Sequence, residues 1–258
     1  MTLAAGLRLA TGTLTVIPVG DIGAPDRRVG RSAMLLAPVA ALPLGVTAAA
    51  IVAGGQWVGL PPFVTAAVAL AALAGATRAM HLDGLADTAD GFGGGWDRER
   101  ALEIMHRGDV GPMGVAALIL VLLAQAGAIA TLAVADWGWL LTGVATVAAR
   151  CACTLMCATR IPAARATGLG AVVASSVPIS AALATLAAAT GVSIAVALIA
   201  GISWWVGLLA ALLAWLAVTV LVRGALRRLG GITGDVLGAG IEIAATALLI
   251  IYSAGVLA

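Results

Sequence analysis

The sequence predicts an all-α, polytopic integral membrane protein: one helical bundle of about seven transmembrane helices, preceded by a short N-terminal interfacial helix. Composition is the first reason. Hydrophobic residues make up 62% of the chain and charged residues 10%, with a mean hydropathy of +1.11, whereas a soluble domain carries about 25% charged residues. Such a chain cannot clothe a water-facing surface. The second reason is patterning, because the apolar residues form segments of crossing length joined by short stretches rich in Gly, Pro or Trp. With roughly 20 residues per crossing, residues 1–258 accommodate these spans as a single membrane domain.

The elements follow in order. Leu3, Leu7, Ala10, Leu14 and Ile17 recur at helical spacing until Pro18 ends the run, giving the interfacial helix. Arg8 inside that run, and the lack of a small-residue cleavage site, argue against a removable signal peptide. Spans are expected at about 32–54, 62–80, 114–134, 138–159, 179–200, 202–222 and 236–257. Trp57, Trp96, Trp137, Trp139, Trp204 and Trp205 fall near span ends, where indole rings favour the headgroup level, and only Trp215 lies mid-span. No internal repeat supports an inverted-repeat architecture.

Charge sets the expected orientation. All 14 basic residues are arginines. Numbering the spans alternately places Arg8, Arg27, Arg28, Arg31, Arg78, Arg98, Arg100, Arg107, Arg160, Arg165, Arg223, Arg227 and Arg228 on one side, and none in the three opposite loops. By the positive-inside rule that side is cytoplasmic, together with the N-terminus and a loop at about 78–113. The expected location is the bacterial cytoplasmic membrane, with the lipid bilayer as an obligatory partner. A net charge of +2 without long basic runs excludes a nucleic-acid partner. Cys151, Cys153 and Cys157 share one apolar stretch with no second ligand group, and are read as small packing residues.

The chemistry concentrates in the 78–113 loop. Asp83, Asp87 and Asp90 stand at i, i+4 and i+7, so a continuing helix puts three carboxylates on one face. Like charges at that spacing repel. A dication offsets them, and an all-oxygen set with open positions suits Mg²⁺ or Mn²⁺ shared with a phosphate; the plainer alternative is a solvated acidic loop. Gly84, Gly91, Gly93, Gly94 and Gly95 allow close backbone approach. His81 precedes the trio as a base, a ligand or a structural histidine. Residues 97–103 read as a surface helix of mixed charge. Beyond it, Arg107, Asp109 and Gly111 converge at the start of span three, where helix amides favour a phosphate. Arg150 and Glu242 lie deep within spans, at a depth where an ionisable group costs about 3 kcal/mol and seeks a cavity or a partner. Asp235, in a second Gly-rich element, opens span seven on the same side.

These residues resemble the adenosylcobinamide-GDP ribazoletransferase (cobalamin synthase) family. His81-Leu82-Asp83-Gly84-Leu85-Ala86-Asp87-Thr88-Ala89-Asp90-Gly91 is similar to its signature. Arg98 to Met105, the stretch Gly231-x-Thr233-Gly234-Asp235-x-Leu237-Gly238-Ala239 with Glu242 beyond it, Arg150, and Gly168-Leu169-Gly170 fit the remainder. In one departure, the family pattern places an acid before a basic residue after Met105, whereas here Arg107 precedes Asp109. The resemblance implies that α-ribazole or its 5′-phosphate is joined to adenosylcobinamide-GDP with release of GMP, in the presence of Mg²⁺. It further implies Asp83, Asp87 and Asp90 as metal ligands, and His81 or an aspartate as the base. Arg78, Arg107 or Arg150 would contact the pyrophosphate. Asp109, Gly111, Asp235 and Glu242 join the substrate-binding set, with Asp235 holding a second metal or the ribazole hydroxyls. A homo-oligomer is left open.

Two other readings compete. A CDP-alcohol phosphotransferase also uses spaced aspartates, but Phe92-Gly93-Gly94-Gly95 follows Asp87-x-x-Asp90-Gly91 where that class has Ala-Arg. An ion-coupled transporter would use Arg150 and Glu242 as coupling residues, although most acidic residues here belong to a loop rather than to broken helices at midplane.

Overall fold

A computed structural model describes residues 2–94 and 96–258. Gly95, one of the glycines grouped above, lies outside them. The described residues form helices and no strand, with two isolated parallel bridges, Ala158 with Val177 and Ala163 with Ile232. Six stretches are long and apolar enough to cross a bilayer singly, and a bent helix pair brings the number to as many as seven.

α1 (Thr2–Leu14) packs on α2 (Arg27–Ala40). Asp26 caps α2 through the Val29 amide at 2.8 Å. The first span continues from α2 into α3 (Leu42–Val58), with an interruption at Ala41 between Pro38 and Pro43. Each proline removes an amide donor and crowds the preceding turn, which explains the break.

α4 (Pro62–Ala76) and α5 (Met80–Gly94) do not form the straight span expected at 62–80. They meet at 90°. The turn is made at Arg78 and Ala79, both left-handed with φ of 56° and 55°, a conformation that costs L-residues of order 1 kcal/mol each and is held only by its surroundings. The 15 residues of α4 rise about 22 Å, short of a hydrocarbon core about 30 Å thick. α5 therefore turns across the bundle, packed against the first turns of α7 (Pro112–Leu132) and α13 (Gly234–Leu257). Between α5 and α7 lies the short α6 (Arg98–Ile104).

α8 (Gly138–Ala148) passes through a 3₁₀ turn (Ala149–Cys151) into α9 (Ala152–Met156). The remaining elements are α10 (Leu169–Val173), α11 (Ile179–Ile199) and α12 (Trp204–Leu229), which leads to α13. Small residues let the helices touch: Gly45 of α3 and Gly143 of α8 lie so close that a Cβ on either would meet the other's carbonyl oxygen at 2.8–2.9 Å. Trp215, the mid-span indole, donates to Thr190 Oγ1 at 3.2 Å. The three cysteines are buried and unpaired, as packing residues should be. Ile119, Leu120 and Leu123 of α7 and Leu212 and Leu216 of α12 face outward, where a bilayer rather than water is the favourable surrounding.

Candidate active site

The α5 helix carries Asp83, Asp87 and Asp90 as one element, but the fold gives them different tasks. Asp90 is buried, and its two oxygens accept the amides of Gly111 at 2.7 Å and Gly114 at 2.8 Å. It thereby satisfies the free donors and positive dipole at the start of α7. Two sequence expectations change in consequence. Each Asp90 oxygen is engaged by an amide, which leaves it less open to a metal than Asp83 and Asp87, and the Gly111 end of α7, expected to receive a phosphate, already holds a carboxylate of this chain.

Asp235 takes the place beside Asp83 and Asp87. It opens α13, accepts the Thr233 hydroxyl at 3.1 Å, and its backbone lies against α5 at Gly84. Asp83, Asp235 and Asp90 act on Asp87 as like charges, opposed by Arg165. Arg165 Nη1 stands 3.9 Å from Asp235 Oδ2. Negative charge thus outweighs positive on this face. Among the described residues no three acidic, His or Cys side chains converge tightly enough to hold a metal ion alone. That arrangement still fits Mg²⁺, which is commonly held by one or two carboxylates and completed by water and substrate phosphates.

A Cβ at Gly84 would stand 2.6 Å from the Asp235 carbonyl oxygen and 2.9 Å from its Cα. Gly84→Ala is therefore expected to push α13 away from α5 and to lower turnover at least about tenfold, with overpacking costing about 1–3 kcal/mol. Thermal unfolding and activity of the purified variant measure both effects.

Two cavities adjoin Asp235. One, of about 240 Å³, is lined by His81 and Asp83 and by the apolar Leu14, Met34, Met80 and Ile241. The other, of about 160 Å³, is lined by Arg165, Thr167, Gly168 and Thr233. Leu169, Gly234 and Asp235 belong to both walls.

His81 also lines a third, interior cavity of about 40 Å³ with Gln125, Thr146, Arg150 and Glu242. Arg150 sits in the 3₁₀ turn, donates to the Thr146 carbonyl at 2.6 Å and lies 3.4 Å from His81 Nδ1. Glu242 accepts from Gln125 at 2.9 Å, and Gln125 also donates to Thr246 at 3.0 Å. Arg150 and Glu242 thus share a polar chamber without a direct ion pair. Arg150 meets the larger cavity only through His81, which makes it a positioning residue.

The remaining candidates stand apart. Arg78 donates to the Gly12 carbonyl at 3.1 Å and ties the 90° turn to α1. Arg107 is exposed and paired with Glu103 at 2.8 Å. Arg107 and Arg100 hold the Glu103 carboxyl below its usual range. Asp109 is exposed near Arg107. Sequence reasoning missed three contributors. Arg98, read as part of a surface helix, donates to the carbonyls of Leu229 at 2.7 Å and Ala164 at 2.8 Å, strapping α6 to the loop that bears Arg165. Arg165 was only a count in the charge balance, and Gln125 one polar residue in an apolar run. The contacts of all three cross long stretches of chain that periodicity does not report.

The family model for cobalamin-5-phosphate synthase matches residues 6–253. A relative from Nocardioides sp. named adenosylcobinamide-GDP ribazoletransferase is 44% identical over 249 residues, covering 96% of this chain and 97% of its own. Relatives with the same name from Frankia casuarinae and Bradyrhizobium diazoefficiens are 41% and 39% identical, covering 95% and 97% of this chain and 93% and 94% of theirs. No solved structure matches. With a match over nearly its whole length and relatives this similar end to end, the chain belongs to the cobalamin-5-phosphate synthase family.

Proposed function

We propose that this protein transfers the adenosylcobinamide phosphate moiety of adenosylcobinamide-GDP to α-ribazole or its 5′-phosphate, releasing GMP and closing the nucleotide loop of cobalamin. The observation that carries the reading is the acidic face of Asp83, Asp87 and Asp235 beside two cavities at one end of the bundle. Nearly all the arginines lie at that end, which we assign to the cytoplasm by the positive-inside rule.

The reaction forms one phosphorus–oxygen bond and breaks another. A ribazole hydroxyl oxygen attacks the phosphorus bearing the cobinamide, and the bond to GMP breaks with its electron pair remaining on GMP. The hydroxyl proton passes to a carboxylate. Asp83 and Asp87 would hold Mg²⁺ together with the pyrophosphate. When bound, that ion supplies charge neutralisation for the leaving phosphate. Asp235, in the wall of both cavities, orients the ribazole hydroxyls and receives the proton. His81 lines the larger cavity with its ring set by Arg150.

Incubating the purified protein with adenosylcobinamide-GDP, α-ribazole and Mg²⁺ is expected to yield GMP and a corrinoid in which the ribazole has replaced GMP, as read by mass analysis. Labelled corrinoid entering sealed vesicles without GMP production would favour transport instead. Exhaustive chelation is expected to stop GMP release and added Mg²⁺ to restore it. Undiminished turnover in excess chelator would contradict the role given to the carboxylates.

A further inference from the structure

Asp235 separates two cavities of opposite chemistry. The larger presents Leu14, Met34, Met80 and Ile241 on its apolar walls, with Thr13, His81 and Asp83 beside Asp235. The smaller presents a guanidinium and hydroxyls, from Arg165, Thr167 and Thr233. At about 160 Å³ it is too small for a nucleotide, whose pockets run to roughly 300–1,000 Å³, but it has room for a phosphate group. Together with the larger cavity of about 240 Å³ it falls within that range.

Arg165 is prepared to bind an anion. Its Nη2 donates to the Leu102 carbonyl at 2.8 Å, which fixes the guanidinium, while Nη1 is only loosely engaged at 3.9 Å from Asp235. The loop beneath it is rigid: Ala164 N bonds the Ile232 carbonyl at 2.9 Å, Ile232 N bonds the Pro162 carbonyl at 2.9 Å, and Arg98 holds the Ala164 carbonyl. Little ordering therefore remains to be done on binding. Gly168, with φ of 82°, makes the turn that closes the cavity.

We infer that these two cavities form one acceptor site, in which Arg165 binds the 5′-phosphate of a phosphorylated ribazole, Asp235 meets the ribose, and the benzimidazole enters the apolar cavity. The inference rests on the transfer reaction proposed above and assigns its acceptor.

The test compares two acceptors with full-length protein in detergent, at saturating adenosylcobinamide-GDP and Mg²⁺, with GMP release as the readout. The quantity read is the ratio of kcat/KM for α-ribazole 5′-phosphate to that for α-ribazole. Arg165→Gln is expected to lower this ratio between about ten- and a hundredfold, as loss of a charge-assisted hydrogen bond does, with Arg165→Lys intermediate. An unchanged ratio, however large the loss common to both acceptors, overturns the assignment. So does an effect seen only in the KM for adenosylcobinamide-GDP. The unmutated protein gives an independent measure, because inorganic phosphate should compete with the phosphorylated acceptor and leave the KM for α-ribazole unchanged. Equal competition against both acceptors overturns the subsite. If neither acceptor yields GMP with the unmutated protein, the transfer reaction itself fails; transfer to both with no dependence on Arg165 removes only the subsite.

Discussion

Replacing Asp83 with asparagine is expected to reduce GMP release by on the order of a hundredfold or more while leaving membrane insertion and thermal stability close to those of the parent. The change keeps the size of the side chain and removes its charge. Asp83 is exposed beside a cavity and makes none of the hydrogen bonds that brace the bundle, so little structure depends on it. Asp90→Asn should behave in the opposite way. The Asp90 oxygens hold the start of α7, so that substitution should lower stability by about 1 kcal/mol, the usual scale for a helix cap. The ratio of lost activity to lost stability thus separates the two aspartates. Full turnover by Asp83→Asn in purified protein would remove it from the site.

The second large effect is expected at Arg150. Arg150→Met leaves Glu242 as an uncompensated charge in the interior chamber, a loss on the order of 3 kcal/mol at bilayer depth. Arg150→Met combined with Glu242→Gln should recover most of that stability, because removing both charges is far less costly than removing one. Turnover should not recover. Without the guanidinium 3.4 Å from Nδ1, His81 loses the neighbour that sets its ring. Steady-state kinetics of the double variant should show a lowered kcat with KM nearly unchanged, and Arg150→Lys should restore part of the rate. A double variant with parental kcat would reduce Arg150 to a purely structural charge.

Much of the fold was legible because a bilayer imposes a coarse code. Apolar segments of crossing length, prolines at their ends and arginines in alternate joints were sufficient to expect a bundle of about seven spans. The bend between α4 and α5 was not, because nothing in Thr77-Arg78-Ala79 marks a turn. Two non-glycine residues adopt left-handed conformations there because the packing of α5 against α13 holds them. Asp90 shows the same limit at the site. Its place on the face of Asp83 and Asp87 follows from spacing, whereas its capture by Gly111 and Gly114 depends on where α7 begins in space.

Residue types and their intervals by themselves determined that this chain is helical, lives in a membrane, and concentrates carboxylates near His81. These are local properties, set within a few turns of helix by periodicity and transfer free energy. Tertiary structure alone decided that Asp235 joins Asp83 and Asp87, that the Asp90 oxygens cap α7, and that Arg165 lines the smaller cavity beside Asp235. The physical reason is that hydrogen bonds and charges act over a few ångströms, and the partners involved are separated by 21 to more than 100 positions of chain that only folding brings together.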